Sequence, residues 1–414
     1  MKNFLAHTDE TRNTLLKSIS VDKIDDLFKQ LPVNFGEFDM GNALSELQTQ
    51  KKIKALAHKN KTEYISFIGG GIYNKFIPAA IAYMAQRCEF LTAYTPYQPE
   101  ISQGTLQIIY EYQTLISRLT GMDIANASMY DAGSACAEAI LMSHRIARGK
   151  KNSALVSNKL NPEYKEVIKT YCWAQNINIQ WFDDLPLNTD EYCCVLIQNP
   201  DYYGELTEVI KQNTILIVCA DLSSLPIIAP PKEADIVVGD IQVLGIPTSY
   251  GGPHAGYMAC KEAYMRQLPG RLVGKTLDKD GKPAYTLTIQ TREQHIKREK
   301  ATSNICSNQS LIALSATLYM SLLGEKGFKE TGILSTTLAH KLSKKLEAIG
   351  VKTLNKAFFN EFVIEVENAD KFLTKLKNNN ILGGIKLNEK NILVAVTEMN
   401  CDEDVETYIN TIKE

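Results

Sequence analysis

Apolar residues recur along this chain with two periods, and the period predicts which segments are helices and which are strands. Residues 103–121, QGTLQIIYEYQTLISRLTG, have helical spacings of three and four and end on a glycine. Their apolar stripe comprises Leu106, Ile109, Tyr112, Ile116 and Leu119. Short continuous apolar runs, typical of strands buried on both faces, occur at 153–157, 193–197, 214–220 and 234–239. Because helical stretches separate several of these runs, we expect a largely parallel sheet with helices on both faces.

The same patterns divide the chain into three regions. Residues 1–62 have the pattern of short helices and turns, and they contain too few apolar residues for a core of their own. We therefore expect an N-terminal helical arm that lies on another surface. Residues 63–325 contain the predicted strands of a large α/β domain. Residues 326–414 alternate helix and strand, which predicts a smaller C-terminal α/β domain.

The composition is that of a soluble globular protein, and it excludes several classes of function. Of 414 residues, 44% are hydrophobic and 22% are charged, with a net charge of -2. Such a chain lacks the basic footprint of a nucleic-acid-binding protein. No apolar segment approaches the roughly 20 residues that span a membrane, and we see no secretory signal. The nine cysteines form no CxxC pair, and the histidines show no metal-ligand spacing with them. We expect no metal site and a reducing, cytoplasmic location.

Three segments carry residues that suit chemistry. Gly133 and Ser134 open a predicted helix whose free amides suit a phosphate, although small residues there more often permit tight packing. Asp221 ends an apolar strand, at the edge where ligands bind in open α/β sheets. It could protonate a pyridine nitrogen or accept hydrogen bonds from its own loop. Tyr94 and Tyr97 lie in a proline-rich loop that suits either an interface or a lid over the core.

Five motifs, taken together, resemble one family. They are FIGGGIYNKFIPAAI (67–81), EFLTAYTPYQPEISQGTLQIIYEYQTLISRLTGMDIANASMYDAGSACAEA (89–139), LGIPTSYGGPHAGYMA (244–259), RQLPGRLVG (266–274) and TREQHIKREKATSNICS (291–307). These motifs are similar to those of the P-protein of the glycine cleavage system, and in particular to the alpha subunit of its two-chain form. The resemblance runs from the N-terminal arm to the C-terminal domain.

The resemblance implies the fold of pyridoxal-phosphate (PLP)-dependent transferases, the aspartate-aminotransferase-like fold type I. It implies an enzyme that decarboxylates glycine with PLP and transfers the aminomethyl group to the lipoyl arm of H-protein. In the family, the lysine that binds PLP follows a histidine in the beta subunit. Here the comparable loop offers Gln242 and Val243, and no lysine lies between Lys232 and Lys261. We expect an alpha subunit without catalytic residues of its own, in a heterotetramer whose beta subunits bind PLP covalently.

The resemblance also implies which residues approach the partner's active site. Tyr94 and Tyr97 match a loop that is directed toward it in the family. Thr302, Ser303 and Asn304 carry hydroxyls and an amide that suit a phosphate at the interface. Two arginines of the same segment would attract anions or form surface ion pairs; they are Arg292 and Arg298.

A second set of residues would mark a degenerate cofactor pocket within the alpha chain. Its members are Gly133, Ser134, Asp221 and Gln242. Tyr130 and Asp131 add bulk and a negative charge where a phosphate would lie, so like-charge repulsion would disfavour the cofactor.

Two alternatives remain open from the sequence. The chain could be a free-standing PLP enzyme that uses Lys232 or Lys261 as its anchor. It could also be a catalytically empty binding or regulatory scaffold of the same fold.

Overall fold

The structure, a computed structural model, describes residues 8–32 and 39–413, which fall into two units, Met1–Thr62 and Glu63–Glu414. In the first unit, α1 spans Asp9–Ser18 and α2 spans Glu46–Ala57. Short helices were predicted for this region, and α2 begins at Glu46 because Ser45 and Gln48 form a capping box there. Among the described residues of this unit, Leu16 alone is buried. That the unit is an arm remains a prediction.

The strands of the second unit account for each predicted apolar run. In chain order they are β1 (Ile65–Ser66), β2 (Ile124–Ala125), β3 (Ser153–Ser157), β4 (Asn178–Phe182), β5 (Cys194–Asn199), β6 (Ile215–Ala220), β7 (Ile236–Asp240), β8 (Gly256–Cys260), β9 (Leu272–Leu277), β10 (Pro283–Thr288), β11 (Lys352–Thr353), β12 (Glu361–Glu365), β13 (Ile381–Leu382), β14 (Ile385–Lys386) and β15 (Asn391–Ala395). The main sheet has the order β2-β8-β7-β6-β5-β3-β4. The run from β7 to β4 is parallel, as predicted, whereas β8 pairs antiparallel with both of its neighbours.

Helices cover both faces of this sheet. The helices of the second unit are α3 (Ala79–Ala85), α4 (Gln103–Thr120), α5 (Ala132–Ile146), α6 (Pro162–Ala174), α7 (Gln294–Lys297), α8 (Ser310–Ala348), α9 (Ala369–Asn378) and α10 (Asp402–Lys413). Successive residues of β6 belong to opposite cores: Leu216 and Val218 pack with α4 and α8, whereas Ile217 and Cys219 pack with α5 and α6. The sheet is thus buried on both sides, which explains its continuous apolar runs. Gly121, with φ 70°, ends α4 at the predicted stop.

The C-terminal part of this unit is a separate sheet with its own core. Its strand order is β11-β12-β15-β14, and the last half of α8, α9 and α10 pack on it. Helix α8 is interrupted at Gly324, where φ is 60° and ψ is -177°. The predicted boundary between the large and the C-terminal domain, at residue 325, stays a prediction. Within the residues that the structure describes, no helix is long and apolar enough to cross a membrane.

Candidate functional site

Three central parallel strands lead into carboxylates at the same edge of the sheet. Asp201 follows β5, Asp221 follows β6, and Asp240 ends β7. Together with Glu361 of β12 they line a cavity of about 50 Å³. Ligands of open α/β sheets bind at this edge. The volume holds a few water molecules and is far too small for a cofactor.

Burial raises the pKa of all four carboxyl groups. It raises the pKa of Asp240 to about 7, of Glu361 to about 7 and of Asp201 to about 6. Burial also raises the pKa of Asp221, against the lowering effect of nearby Lys75. A buried acid favours its neutral form because the low-dielectric interior penalises charge.

Gln242, the residue that occupies the expected lysine region, lies next to two residues of the cavity lining, Tyr73 and Val243. The Gln242 side chain is buried, and its Oε1 accepts a hydrogen bond from the Tyr73 N–H at 2.9 Å. Its Nε2 donates to the carbonyl oxygens of Tyr73 and Ile246, both at 2.8 Å. On the other side, Glu361 accepts hydrogen bonds from the Gly70 N–H at 2.6 Å and from the Tyr73 hydroxyl at 2.9 Å. The glycine turn that contains Gly70 is thus fastened over the cavity from two directions.

Two amides at the start of α5, those of Asp131 and Ser134, already have protein partners. The Asp131 carboxylate accepts a hydrogen bond from the Ser134 N–H at 2.7 Å, and the Ser134 hydroxyl accepts one from the Asp131 N–H at 3.1 Å. This capping box satisfies the donors that an anion would otherwise use. A Cβ on Gly133 would lie 3.1 Å from Val167 of α6, so the small residue permits close helix packing. Close helix packing explains the glycine at 133, and the helix cap engages Ser134, whereas a cofactor role for either residue stays a prediction.

Asp221 likewise serves its own loop. Its carboxylate accepts hydrogen bonds from the backbone N–H of Ser223 at 2.9 Å and from the Ser223 hydroxyl at 2.8 Å. Asp221 lines the cavity and Gln242 binds Tyr73 of its lining, so each already has protein partners. The residues of this pocket do not fit PLP, because no lysine lines it and its volume of about 50 Å³ leaves too little space.

Lys232 and Lys261 lie at the opposite end of β7. Lys261 forms an ion pair with Asp235, the residue before β7, at 3.2 Å, and Lys232 is exposed in the preceding loop. A strand of this length spans about 16 Å. Neither lysine can therefore reach the cavity beside Asp240 as a covalent anchor.

A second cluster lies on an exposed surface that we call the tyrosine surface, defined by Tyr94, Tyr97, His295 and Ser307. Tyr94 is 85% exposed, and its hydroxyl shares a hydrogen bond of 3.2 Å with the Ser307 hydroxyl. Tyr97 is half exposed and meets the His295 ring edge-on, with centroids 5.1 Å apart. The fold thus brings the proline-rich loop and the 291–307 segment together. Exposed aromatic side chains in such a setting are typical of binding surfaces.

The residues Thr302, Ser303 and Asn304 adjoin this surface but differ in availability. The Thr302 N–H donates to the Arg292 carbonyl oxygen at 3.0 Å, which closes a turn of the segment. The Ser303 hydroxyl donates to buried Glu138 at 2.6 Å. Asn304 is exposed. Of the three side chains, Asn304 is the most accessible to a partner, whereas Ser303 anchors the segment to α5.

The two arginines predicted for this surface have different positions. Arg298 is exposed, with a left-handed φ of 52°. Arg292 is buried and donates hydrogen bonds to the carbonyl oxygens of Ile289 at 3.1 Å and Gly270 at 2.9 Å. Burial lowers the pKa of Arg292. Contrary to both sequence interpretations, Arg292 is neither presented to solvent nor paired with a surface acid, because backbone carbonyls hold its guanidinium inside.

The sequence analysis missed Arg271, a buried arginine immediately before β9. It lies beneath the tyrosine surface and contacts both of the segments that form it. The available signal was the charged residue at the start of an apolar run in RQLPGRLVG, since buried arginines require several partners.

Comparisons with known proteins agree with this architecture. The family model "Glycine cleavage system P-protein" matches residues 2–412. The probable glycine dehydrogenase (decarboxylating) subunit 1 of Geobacillus thermodenitrificans is 41% identical, over 100% of this chain and 99% of its own length. The crystal structure of an inhibitor-bound glycine decarboxylase (P-protein) of the glycine cleavage system matches with a TM-score of 0.86 and 36% identity, over 99% of each chain.

A more distant comparison identifies the fold alone. An alanine–glyoxylate aminotransferase from Nostoc sp. matches with a TM-score of 0.59 at 12% identity, over 92% of this chain and 99% of its own. The chain has the fold type I architecture of PLP-dependent enzymes, as predicted. It belongs to the glycine cleavage system P-protein family.

Proposed function

We propose that this chain is the alpha subunit of a two-subunit glycine decarboxylase and binds no PLP itself. The observation that carries this proposal is the buried side chain of Gln242, which makes three hydrogen bonds to backbone atoms where a lysine would be needed. The carboxyl-lined volume of about 50 Å³ supports the same conclusion. The relatives' designation as subunit 1 supports a second, different subunit.

In this proposal the beta subunit binds PLP and glycine, and the alpha chain completes the wall of that site. Tyr94 and Tyr97 present aromatic faces and hydroxyls, and Asn304 and Arg298 add an amide and a cation beside them. Thr302, Ser303 and Arg292 support the segment from behind through their contacts with one another and with Glu138. When bound in the partner, PLP supplies the electron sink for decarboxylation. The alpha chain's own contribution is to orient ligands and exclude water.

The assembly belongs to the same proposal. Two alpha and two beta chains would form a cytoplasmic heterotetramer, which transfers the aminomethyl group to the lipoyl arm of H-protein. Obligate interfaces are large and rich in aromatic residues, which suits the exposed tyrosines of the tyrosine surface. The arm formed by the first unit, in which most described apolar side chains are exposed, would add to the buried area.

The test is reconstitution with a beta subunit. The purified alpha chain should show no visible cofactor absorbance, and borohydride followed by mass spectrometry should find no pyridoxyl-lysine. Addition of the beta subunit and H-protein should restore release of carbon dioxide from glycine. A pyridoxyl adduct on Lys232 or Lys261 of the pure chain would establish the free-standing enzyme instead. No dependence of the beta subunit's activity on the alpha chain would leave the empty scaffold as the function.

A further inference from the structure

We propose that Arg271 is a positioning residue that preforms the tyrosine surface for turnover in the complex. This proposal rests on the proposed function, since it assigns the surface a role in the partner's active site. The Arg271 side chain is only 4% exposed, so it does not itself reach a ligand bound at the protein surface. Its effect would pass through the residues that it holds.

The contacts of Arg271 divide between the two segments of the surface. One terminal nitrogen, Nη2, donates to the Thr95 hydroxyl at 3.1 Å and to the Cys306 carbonyl oxygen at 3.0 Å. The other, Nη1, donates to the Asn308 side chain at 3.1 Å. Thr95 lies between the two tyrosines in the loop, while Cys306 and Asn308 flank Ser307 in the other segment. One planar guanidinium therefore joins both segments.

The same guanidinium supports an aromatic ring of the surface. Its central carbon lies 5.8 Å from the centroid of the Tyr97 ring, within the range of a cation–π contact. Since the Tyr97 ring also meets His295, the ring is held on two sides. Asn308 in turn donates to the Ala127 carbonyl oxygen at 3.0 Å, which ties the assembly to the segment before α5.

The ion pair of Arg271 is incompletely engaged. Its Nε and the Glu293 Oε2 are 3.8 Å apart, and both the Arg271 Nε and the Glu293 Oε1 are buried without a hydrogen-bond partner. Glu293 belongs to the segment that bears His295, whose Nδ1 is 3.7 Å from Glu293 Oε2. Glu293 thus places a carboxylate between the Arg271 guanidinium and the His295 ring.

The first experiment replaces Arg271 by lysine, which keeps the charge but loses the planar fork that reaches both segments. Exposed Arg266→Lys, on the same stretch of chain, is the matched control. In the alpha–beta complex, Arg271→Lys should lower kcat by roughly tenfold or more, because small displacements of positioning groups are costly in catalysis. The PLP content of the beta subunit and Arg266→Lys activity should stay unchanged.

A double-mutant cycle distinguishes positioning from general destabilisation. Tyr97→Leu alone should lower kcat, and adding Arg271→Lys to it should cost much less than Arg271→Lys costs in the native complex. Fully additive losses would overturn the proposal. Thr95→Val removes one contact of the fork at a partly buried site and should show a smaller loss of the same kind. It keeps the test available if the arginine variant does not fold.

Amide hydrogen exchange of the full chain tests the role of Arg271 in ordering the tyrosine surface separately from the role of that surface in turnover. In Arg271→Lys, amides of residues 93–98 and 303–308 should exchange faster, while those of β5 to β7 keep their native rates. Unchanged exchange in both loops would overturn the role of Arg271. Faster exchange with native turnover in both Arg271→Lys and Tyr97→Leu would instead overturn the use of this surface in the proposed function.

Discussion

Replacing Glu361 by glutamine should make the protein more stable at alkaline pH and leave its stability unchanged at acidic pH. The pKa of Glu361 is raised from the ordinary 4.5 to about 7, mainly by burial and with smaller contributions from Asp221 and Asp201, against the lowering effect of hydrogen bonds from Gly70 and Tyr73. Glutamine is neutral at every pH and can keep both hydrogen bonds, provided that the Tyr73 hydroxyl accepts rather than donates. The substitution therefore removes the ionisation without removing the contacts.

The magnitude follows from linkage between protonation and folding. An acid whose folded pKa is raised contributes stability that is full below the unfolded pKa and is lost as pH rises through the folded pKa. For Glu361 that window runs from pH 4.5 to about 7. A difference of about 2.5 pH units corresponds to about 3 kcal/mol. Glu361→Gln should thus equal the native protein near pH 4.5 and exceed it by up to about 3 kcal/mol above pH 7.

The assay is urea unfolding of native chain and variant at several pH values between 5 and 8. The control is Glu365→Gln at the exposed end of the same strand, where the difference from the native chain should stay small throughout. Equal destabilisation by Glu361→Gln at pH 5 and pH 8 would refute the reasoning. That result would mean that Glu361 is an ionised acceptor which the glycine turn requires.

Three further predictions concern the pocket and the surface. Gln242→Lys should give no second PLP per alpha–beta pair and no added decarboxylation, because the cavity is too small and the Asp131 carboxylate caps the start of α5. Doubled cofactor content with faster turnover would instead show that the alpha pocket can still bind PLP and catalyse the reaction. Tyr94→Phe and Tyr97→Phe should each lower the turnover of the complex while gel filtration shows intact assembly, and native kinetics in both would remove them from the site. Asp131→Ala should lower the free energy of unfolding by about 1 kcal/mol through loss of the helix cap; an unchanged thermal midpoint would mean that Ser134 and water cap α5 equally well.

The sequence predicted the central elements because their environment leaves a strong pattern. Strands β3, β5, β6 and β7 are buried on both faces, so each is a continuous apolar run. The first half of α8 escaped prediction for a related reason. Residues 310–323, SLIALSATLYMSLL, are apolar on several faces and mostly buried, so no polar face reveals a helical period.

The candidate pocket was only partly predictable. Asp221 was found because it ends an apolar run, and the same signal was available for Asp240. Glu361 gives no such signal, since it lies at the start of a strand far along the chain and reaches the cavity only through tertiary packing. Arg292 was misplaced because a charged residue in a polar segment is usually exposed. Its burial depends on the carbonyl groups of Ile289 and Gly270, which no sequence pattern reveals.

The buried hydrogen bonds of Gln242, Tyr73 and Asp131 also suggest why a two-subunit enzyme of this kind would remain one during evolution. A return to catalysis in this chain would need a lysine for Gln242, release of Tyr73 and removal of the Asp131 cap. Each change alone would break hydrogen bonds in a buried region before it conferred any activity. Selection would therefore oppose the first step whichever came first. Intermediate variants would lose stability without gaining activity, which would keep the two chains of the proposed enzyme dependent on each other.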